Sequence, residues 1–169
     1  MNHVAGLWGA EAHIGLMNIL RTVYRAPVAE AILLLCTSFQ LVTGVVLVHR
    51  KLRSRLSVPD TLQTLSGAFL SLFLLSHLTA VLSNLYLRGV NTDFRWLTAY
   101  NLLENAWAAR LLPYYFLAVI AFAVHATGGL CKVVLEHGGD SRSTRRLLTV
   151  GVSAGCACAV LIIAALLLA

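Results

Sequence analysis

Apolar residues in this chain are concentrated in four long runs, which cover about residues 28–48, 62–87, 111–134 and 147–168. Each run reaches the roughly 20 residues that a helix needs to cross a hydrocarbon core about 30 Å thick. The alternation of apolar and polar residues that a membrane β-barrel requires is absent, so the runs predict helices. The pattern therefore predicts an all-α fold, an integral membrane four-helix bundle that forms one domain over residues 1–169.

Two further segments have amphipathic patterns. Residues 5–25 repeat apolar side chains at helical spacing before Arg21 and Arg25, and residues 91–108 alternate aromatic and apolar side chains with charged and amide side chains. Trp and Tyr at such positions are typical of the headgroup region. We therefore expect interfacial helices at the N-terminus and between the second and third spans.

The composition supports a membrane protein over a soluble one. Hydrophobic residues make up 59% of the chain and charged residues 12%, which leaves too little polar surface for a soluble protein of 169 residues. The net charge of +6 comes from basic residues in the short segments between apolar runs. No basic patch interleaves with aromatic residues as a nucleic-acid groove requires, so the expected partner is the lipid bilayer and nucleic acid is not expected.

The distribution of basic residues predicts the orientation. Eight face one side and five the other, which favours a cytoplasmic location for the first set and an outside location for both termini. No cleaved secretory signal is evident, so we expect a multi-pass protein of a bacterial inner membrane. The first set is Arg50, Lys51, Arg53, Arg55, Lys132, Arg142, Arg145 and Arg146, and the second is Arg21, Arg25, Arg88, Arg95 and Arg110.

Two histidines, His77 and His125, lie within the second and third apolar runs. An ionisable residue inside a membrane is by default a functional-site hypothesis. Counted from Leu87 and Leu111, the two lie roughly 15 Å and 21 Å into their helices, which is a similar depth. Antiparallel neighbours with histidines at one depth could ligate a single haem iron from both sides, so the pair predicts a haem b site.

Small residues near His125 are consistent with a porphyrin. Gly128 and Gly129 follow it on the same helix face, where the absence of side chains lets a ring approach the backbone. Nearby hydroxyl groups could orient the imidazoles. In the competing interpretation, each histidine only hydrogen-bonds a hydroxyl group or backbone carbonyl of a neighbouring helix. The hydroxyl residues are Ser76, Thr79, Ser83 and Thr127.

The remaining histidines give weaker indications. His49 ends the first span beside basic residues, which favours an interfacial location, although it could ligate a second haem or contact a propionate or a quinone headgroup. His3, His13 and His137 are expected to be solvated or interfacial. In the fourth span, Gly151 and Gly155 form a small-residue face that predicts close helix packing, either within the chain or in a homo-oligomer.

Two motif patches resemble the cytochrome b membrane-anchor subunits of succinate dehydrogenases and fumarate reductases. Such anchors carry H-R-x-S-G at the start of one helix, matched here by Ser66 and Gly67, and H-x-x-x-G-x-R-H in a later helix, matched by His125 and Gly129. The resemblance covers roughly residues 28–134. It implies a haem b with His125 as one axial ligand and His77 as the other.

The chain departs from the family at the polar positions of both motifs. Gln63 and Thr64 replace the first H-R, and Cys131 and Lys132 replace the later R-H. In the family these positions serve the quinone site and the haem propionates. The resemblance therefore implies a stand-alone relative of the anchors, with the propionates near cations such as Lys132, Arg50 or Lys51.

These observations predict an electron-transfer protein without catalytic activity of its own. Two imidazole ligands leave iron no open position, and no nucleotide-binding signature is present. Quinone and a soluble redox partner docked on the basic cytoplasmic face are the expected partners. The alternative is a haem-free scaffold or assembly protein that acts through helix contacts. A small transporter or proton-relay protein is disfavoured, because only Glu30 places a carboxylate near a span, at its edge.

Overall fold

The computed structural model describes residues 2–53, 57–90 and 110–168, and every regular element in these ranges is helical. The interfacial helix expected over residues 91–108 lies outside the described residues. The elements are a 3-10 segment (Asn2–Trp8), α1 (Ala10–Tyr24), α2 (Pro27–Lys51), α3 (Val58–Leu82) with a π-helical turn (Ser83–Leu87), α4 (Leu111–Glu136) and α5 (Ser141–Leu168).

Within the described ranges, four helices are long and apolar enough to cross a membrane, so the protein is a multi-pass integral membrane protein. The spans are Pro27–Lys51, Val58–Leu87, Leu111–Glu136 and Ser141–Leu167, in the order that the four apolar runs predict. The largest difference is at the start of the fourth span. α5 begins at Ser141, about two turns before the apolar run, because its polar first turns are helical as well.

Local sequence signals explain where these helices begin and end. Pro27 occupies the first turn of α2, where a missing N–H costs no hydrogen bond. Ser57 caps α3 by accepting a hydrogen bond from the Asp60 N–H at 3.3 Å. α4 ends at Glu136, two residues before Gly138, whose φ of 85° is readily adopted only by glycine, and the Gly139 N–H then donates to the Val134 carbonyl at 2.8 Å.

The spans pack in chain order, α2 against α3, α3 against α4 and α4 against α5. The closest approach is between α4 and α5. A Cβ added to Gly151 would lie 2.5 Å from Thr127 Oγ1, and one added to Gly155 would lie 2.1 Å from the Ala123 Cβ. The small-residue face of the fourth span therefore packs within the chain.

The N-terminal segment packs against the far end of α5. Ile162 and Leu166 are buried there against Val4, Ile14 and Leu112. The amphipathic segment is thus helical, as its pattern predicts, while its location at the membrane interface stays a prediction.

His13 differs from its sequence-based expectation. We expected a solvated or interfacial side chain, but only 2% of it is exposed. Met17, one turn later on the same face of α1, is buried with it. The expectation of a solvated side chain was wrong, because His13 lies on the face of α1 that packs inward.

Candidate functional site in the α3–α4 helix pair

A continuous antiparallel register joins α3 to α4 along most of their length. Contacts pair Asp60 with Lys132, Gln63 with Gly129, Gly67 with His125 and His77 with Tyr115. Each step along α3 is matched by an equal step back along α4. The two motif patches that carry the family resemblance therefore lie against each other.

His125 lies directly over Gly67. A Cβ added to Gly67 would lie 2.8 Å from Cε1 and 3.0 Å from Nδ1 of the imidazole, so only glycine leaves room for the ring here. The Nδ1 atom of His125 is 3.1 Å from the backbone carbonyl of Gln63. Because a carbonyl only accepts, Nδ1 carries the proton in this contact, and the lone pair of a neutral ring is then on Nε2.

His77 belongs to a separate aromatic cluster further along the pair. Its Nδ1 is 3.1 Å from the hydroxyl of Tyr115, and its ring stacks on Phe73 at a centroid distance of 5.5 Å. Phe73 also contacts Tyr114, whose hydroxyl is 2.7 Å from Ser76 Oγ. Ring contacts and hydrogen bonds together hold the His77 side chain between the two helices.

The two histidines do not lie at one depth, which corrects the matched depth that we expected. His125 is level with Gly67, ten residues before His77 on α3, so the rings are separated by roughly 15 Å along the helix axes. Axial nitrogens on one iron lie only about 4 Å apart, since metal–imidazole bonds are about 2 Å long. His77 and His125 therefore do not fit as the two ligands of a single haem.

The error came from treating Leu87 and Leu111 as facing ends. In the structure Tyr115 is level with His77, so the start of α4 at Leu111 is level with about residue 81, and α3 with its π-helical turn continues past it. Depths counted from the two ends therefore start from different levels.

Each histidine is held through one ring nitrogen, its Nδ1. Metal-ligating histidines usually hydrogen-bond their second ring nitrogen to a carbonyl, a carboxylate or a similar group, which fixes the ring and leaves the other nitrogen for the metal. His125 meets this condition through Gln63, and His77 meets it through Tyr115 if its Nδ1 donates. Among the described residues, no group of three or more metal-ligating side chains is present.

The other predicted site residues have different surroundings. Ser66, which is buried, donates to the Gln63 carbonyl of its own helix at 3.1 Å. Gly129 lies against the Gln63 side chain, whereas no atom of the described residues lies within 4 Å of a Cβ added to Gly128. His49 is exposed, and no described contact joins it to His77 or His125.

The predicted orienting hydroxyl groups do not contact either imidazole within the described part of the chain. Thr79 and Ser83 donate to carbonyls of their own helix, and Ser76 pairs with Tyr114. Thr127 is buried against Gly151 of α5. The orienting groups are instead the Gln63 carbonyl and the Tyr115 hydroxyl.

A charged cluster lies at the Gln63 end of the pair. Lys132 of α4 forms a short ion pair with Asp60, which also lies 3.6 Å from Lys51 of α2 and accepts a hydrogen bond from Ser57. The cluster ties α2, α3 and α4 together at one level. Lys51 and Lys132, expected to be available to propionates, are thus both close to Asp60.

Two polar atoms next to this cluster are buried without a hydrogen-bond partner in the described part of the chain. They are Gln63 Oε1 and Thr64 Oγ1, and Thr64 is only 6% exposed. Buried polar groups normally have a partner, so this location can accept a polar ligand or a water molecule.

Three further residues belong to the site although the sequence does not single them out as members: Tyr115, Gln63 and Asp60. Tyr115 carried a usable signal. A hydroxyl group within a span needs a hydrogen-bond partner, and the imidazole of His77 on the preceding span is a suitable one. Asp60 and Lys132 carried another, since opposite charges near the ends of adjacent spans define their register. Gln63 acts through its backbone carbonyl, for which a sequence gives no signal.

Comparison of the chain with known protein families, with curated proteins and with solved structures finds no significant match.

Proposed function

We propose that the protein is an integral membrane b-type haem protein in which His77 and His125 serve two different haem irons, at two depths. The observation that supports this most is the roughly 15 Å offset between two imidazoles that are each held by a hydrogen bond at Nδ1. This offset favours two haem sites, to each of which the chain contributes one histidine, over a single site to which it contributes both. The relationship to the succinate dehydrogenase and fumarate reductase anchors is part of the same proposal.

A second copy of the chain would complete both sites. A two-fold axis along the membrane normal keeps each residue at its own depth, so His77 would be level with His77 of the other copy, and His125 with His125. A haem with two imidazole ligands supplies one-electron transfer and has no open coordination position. The proposal includes quinone and a soluble redox partner on the basic face as partners. It places the protein in a bacterial inner membrane.

Residues of this chain would hold the imidazoles in place. The Gln63 carbonyl fixes the protonation of His125, and Gly67 provides the space in which its ring lies. The Tyr115 hydroxyl and the Phe73 ring hold His77. These contacts limit rotation of each ring. They would therefore hold Nε2 in a fixed orientation for a metal.

The first experiment is the visible spectrum of the protein purified in detergent after expression with ample haem. We expect a reduced α band at the b-type position. The exposed His49 and His137 provide controls, because His49→Ala and His137→Ala are expected to leave the band unchanged. A colourless wild-type preparation contradicts the haem proposal.

A haem-free scaffold or assembly protein is the second candidate. It is favoured by the fact that both imidazoles already have hydrogen-bond partners inside the α3–α4 pair, which is all that helix packing requires. Under this candidate the wild-type protein is colourless, and His77→Ala and His125→Ala lower its thermal stability without any spectral consequence.

A further inference from the structure

Three arginines on the first turns of α5 form an exposed basic face. Arg145 and Arg146 lie three and four residues after Arg142, so all three are neighbours on one side of the helix. All three are exposed, and none forms an ion pair or side-chain hydrogen bond with another described residue. We call Arg142, Arg145 and Arg146 the α5 arginine face.

The α5 arginine face lies at one end of the spans, next to the turn between α4 and α5, where we expect the helices to leave the membrane. Lys132, one turn before the end of α4, pairs with Asp60 in the first turn of α3, and α5 begins after a four-residue turn. Guanidinium groups at this level meet lipid headgroups.

The nearby carboxylate does not neutralise these arginines. Asp140 accepts hydrogen bonds from the backbone N–H groups of Arg142 and Ser143, each at 2.8 Å, and from the Ser143 hydroxyl at 2.7 Å. It is therefore used as the cap of α5. The helix dipole also disfavours cations at this end, so the three arginines carry positive charge where helix stability alone would select against it.

Exposed apolar side chains continue from the arginine face into the span. Val150 follows Arg146 by one turn and is 67% exposed, and Leu148 is 41% exposed. The surface thus has positive charge at headgroup level and apolar side chains below it. A phospholipid has the complementary arrangement, with a phosphate above its acyl chains.

We infer that the α5 arginine face binds the phosphate headgroup of an anionic phospholipid, whose acyl chains lie along Val150. Arginine suits this role because its fork of N–H donors matches phosphate oxygens. The inference stands independently of haem binding.

Native mass spectrometry of the detergent-purified protein, mixed with equal amounts of phosphatidylglycerol and phosphatidylcholine, tests the inference. We expect the wild-type chain to retain phosphatidylglycerol preferentially, and R142Q/R145Q/R146Q to retain at least tenfold less. The expectation follows from the loss of charge-assisted hydrogen bonds to the phosphate, each worth roughly a fivefold or larger factor in affinity. If the triple variant does not give a monodisperse helical protein, the single variant R146Q is expected to show the fivefold effect.

A matched control separates a site from diffuse surface charge. Arg50 and Arg53 are exposed at the same end of the bundle, on and just after α2, and R50Q/R53Q is expected to change phosphatidylglycerol retention less than twofold. Inorganic phosphate at matched ionic strength is expected not to displace the lipid. Equal retention of both lipids by the wild-type chain, an equal loss in the control, or displacement by phosphate would overturn the inference.

Discussion

The imidazole of His125 occupies the space that a side chain at residue 67 would need. The contact is closest at Cε1, 2.8 Å from the position of an added Cβ, and it involves a ring that the Gln63 carbonyl holds in place. The sequence suggests Ser66 and Gly67 as part of a cofactor site. In the structure, Gly67 of this pair provides the space into which the His125 ring packs.

Gly67→Ala should therefore destabilise the protein by about 1–3 kcal/mol, because the added methyl group displaces a held ring. Thermal unfolding in detergent measures the effect. Gly128→Ala is the matched control on α4, where nothing lies within 4 Å of the added Cβ, and we expect no loss of stability there. Equal destabilisation by both substitutions would contradict the packing role of Gly67.

The stability of the first turn of α5 should depend on pH through the carboxyl group of Asp140. Hydrogen bonds from the Ser143 hydroxyl and from backbone N–H groups hold the pKa of its carboxyl below the ordinary value of 3.8. A lowered folded-state pKa stabilises the fold fully above 3.8, and the stabilisation is lost as the pH falls through the lowered value.

NMR chemical shifts of the Arg142 and Ser143 amide protons in detergent should report this titration. We expect one transition below pH 3.8 in the wild-type chain and none in Asp140→Asn, which keeps a capping side chain without a titrating group. A transition that persists in Asp140→Asn would show that another group titrates.

Among the elements, α4 and α5 form the closest pair, and Gly155 lies at its tightest point. Gly155→Val should lower the unfolding temperature markedly, because its Cβ would overlap the Cβ of Ala123. Ala154→Val, the neighbouring substitution at an exposed position, is the control and should have little effect. A normal unfolding temperature for Gly155→Val would show that the two helices can separate without cost.

The existence of the four spans was predictable because it depends on a one-dimensional quantity, the length of each apolar run. The start of α5 was less predictable. Its first turns, Ser141–Arg146, are polar and extend beyond the apolar run, and they are helical because Asp140 caps them. Hydropathy locates the membrane-crossing part of a helix, whereas capping decides where the helix begins.

For the whole molecule, the decisive quantity is the register between α3 and α4, which the sequence does not give. The histidines were predicted at one depth from the ends of two apolar runs, but α3 continues past the start of α4. The contacts of Tyr115 and Gly67 are what reveal the offset. His77 and His125 are thus half-buried side chains of one helix pair, but they do not lie at the one depth that the sequence predicts.

The haem content per chain of His77→Ala and His125→Ala, beside the wild-type protein, tests the central claim of two separate sites most directly. We predict that each single substitution leaves about half of the wild-type haem and that the double substitution leaves none. Loss of all haem from either single variant would place both imidazoles on one iron and contradict the roughly 15 Å offset.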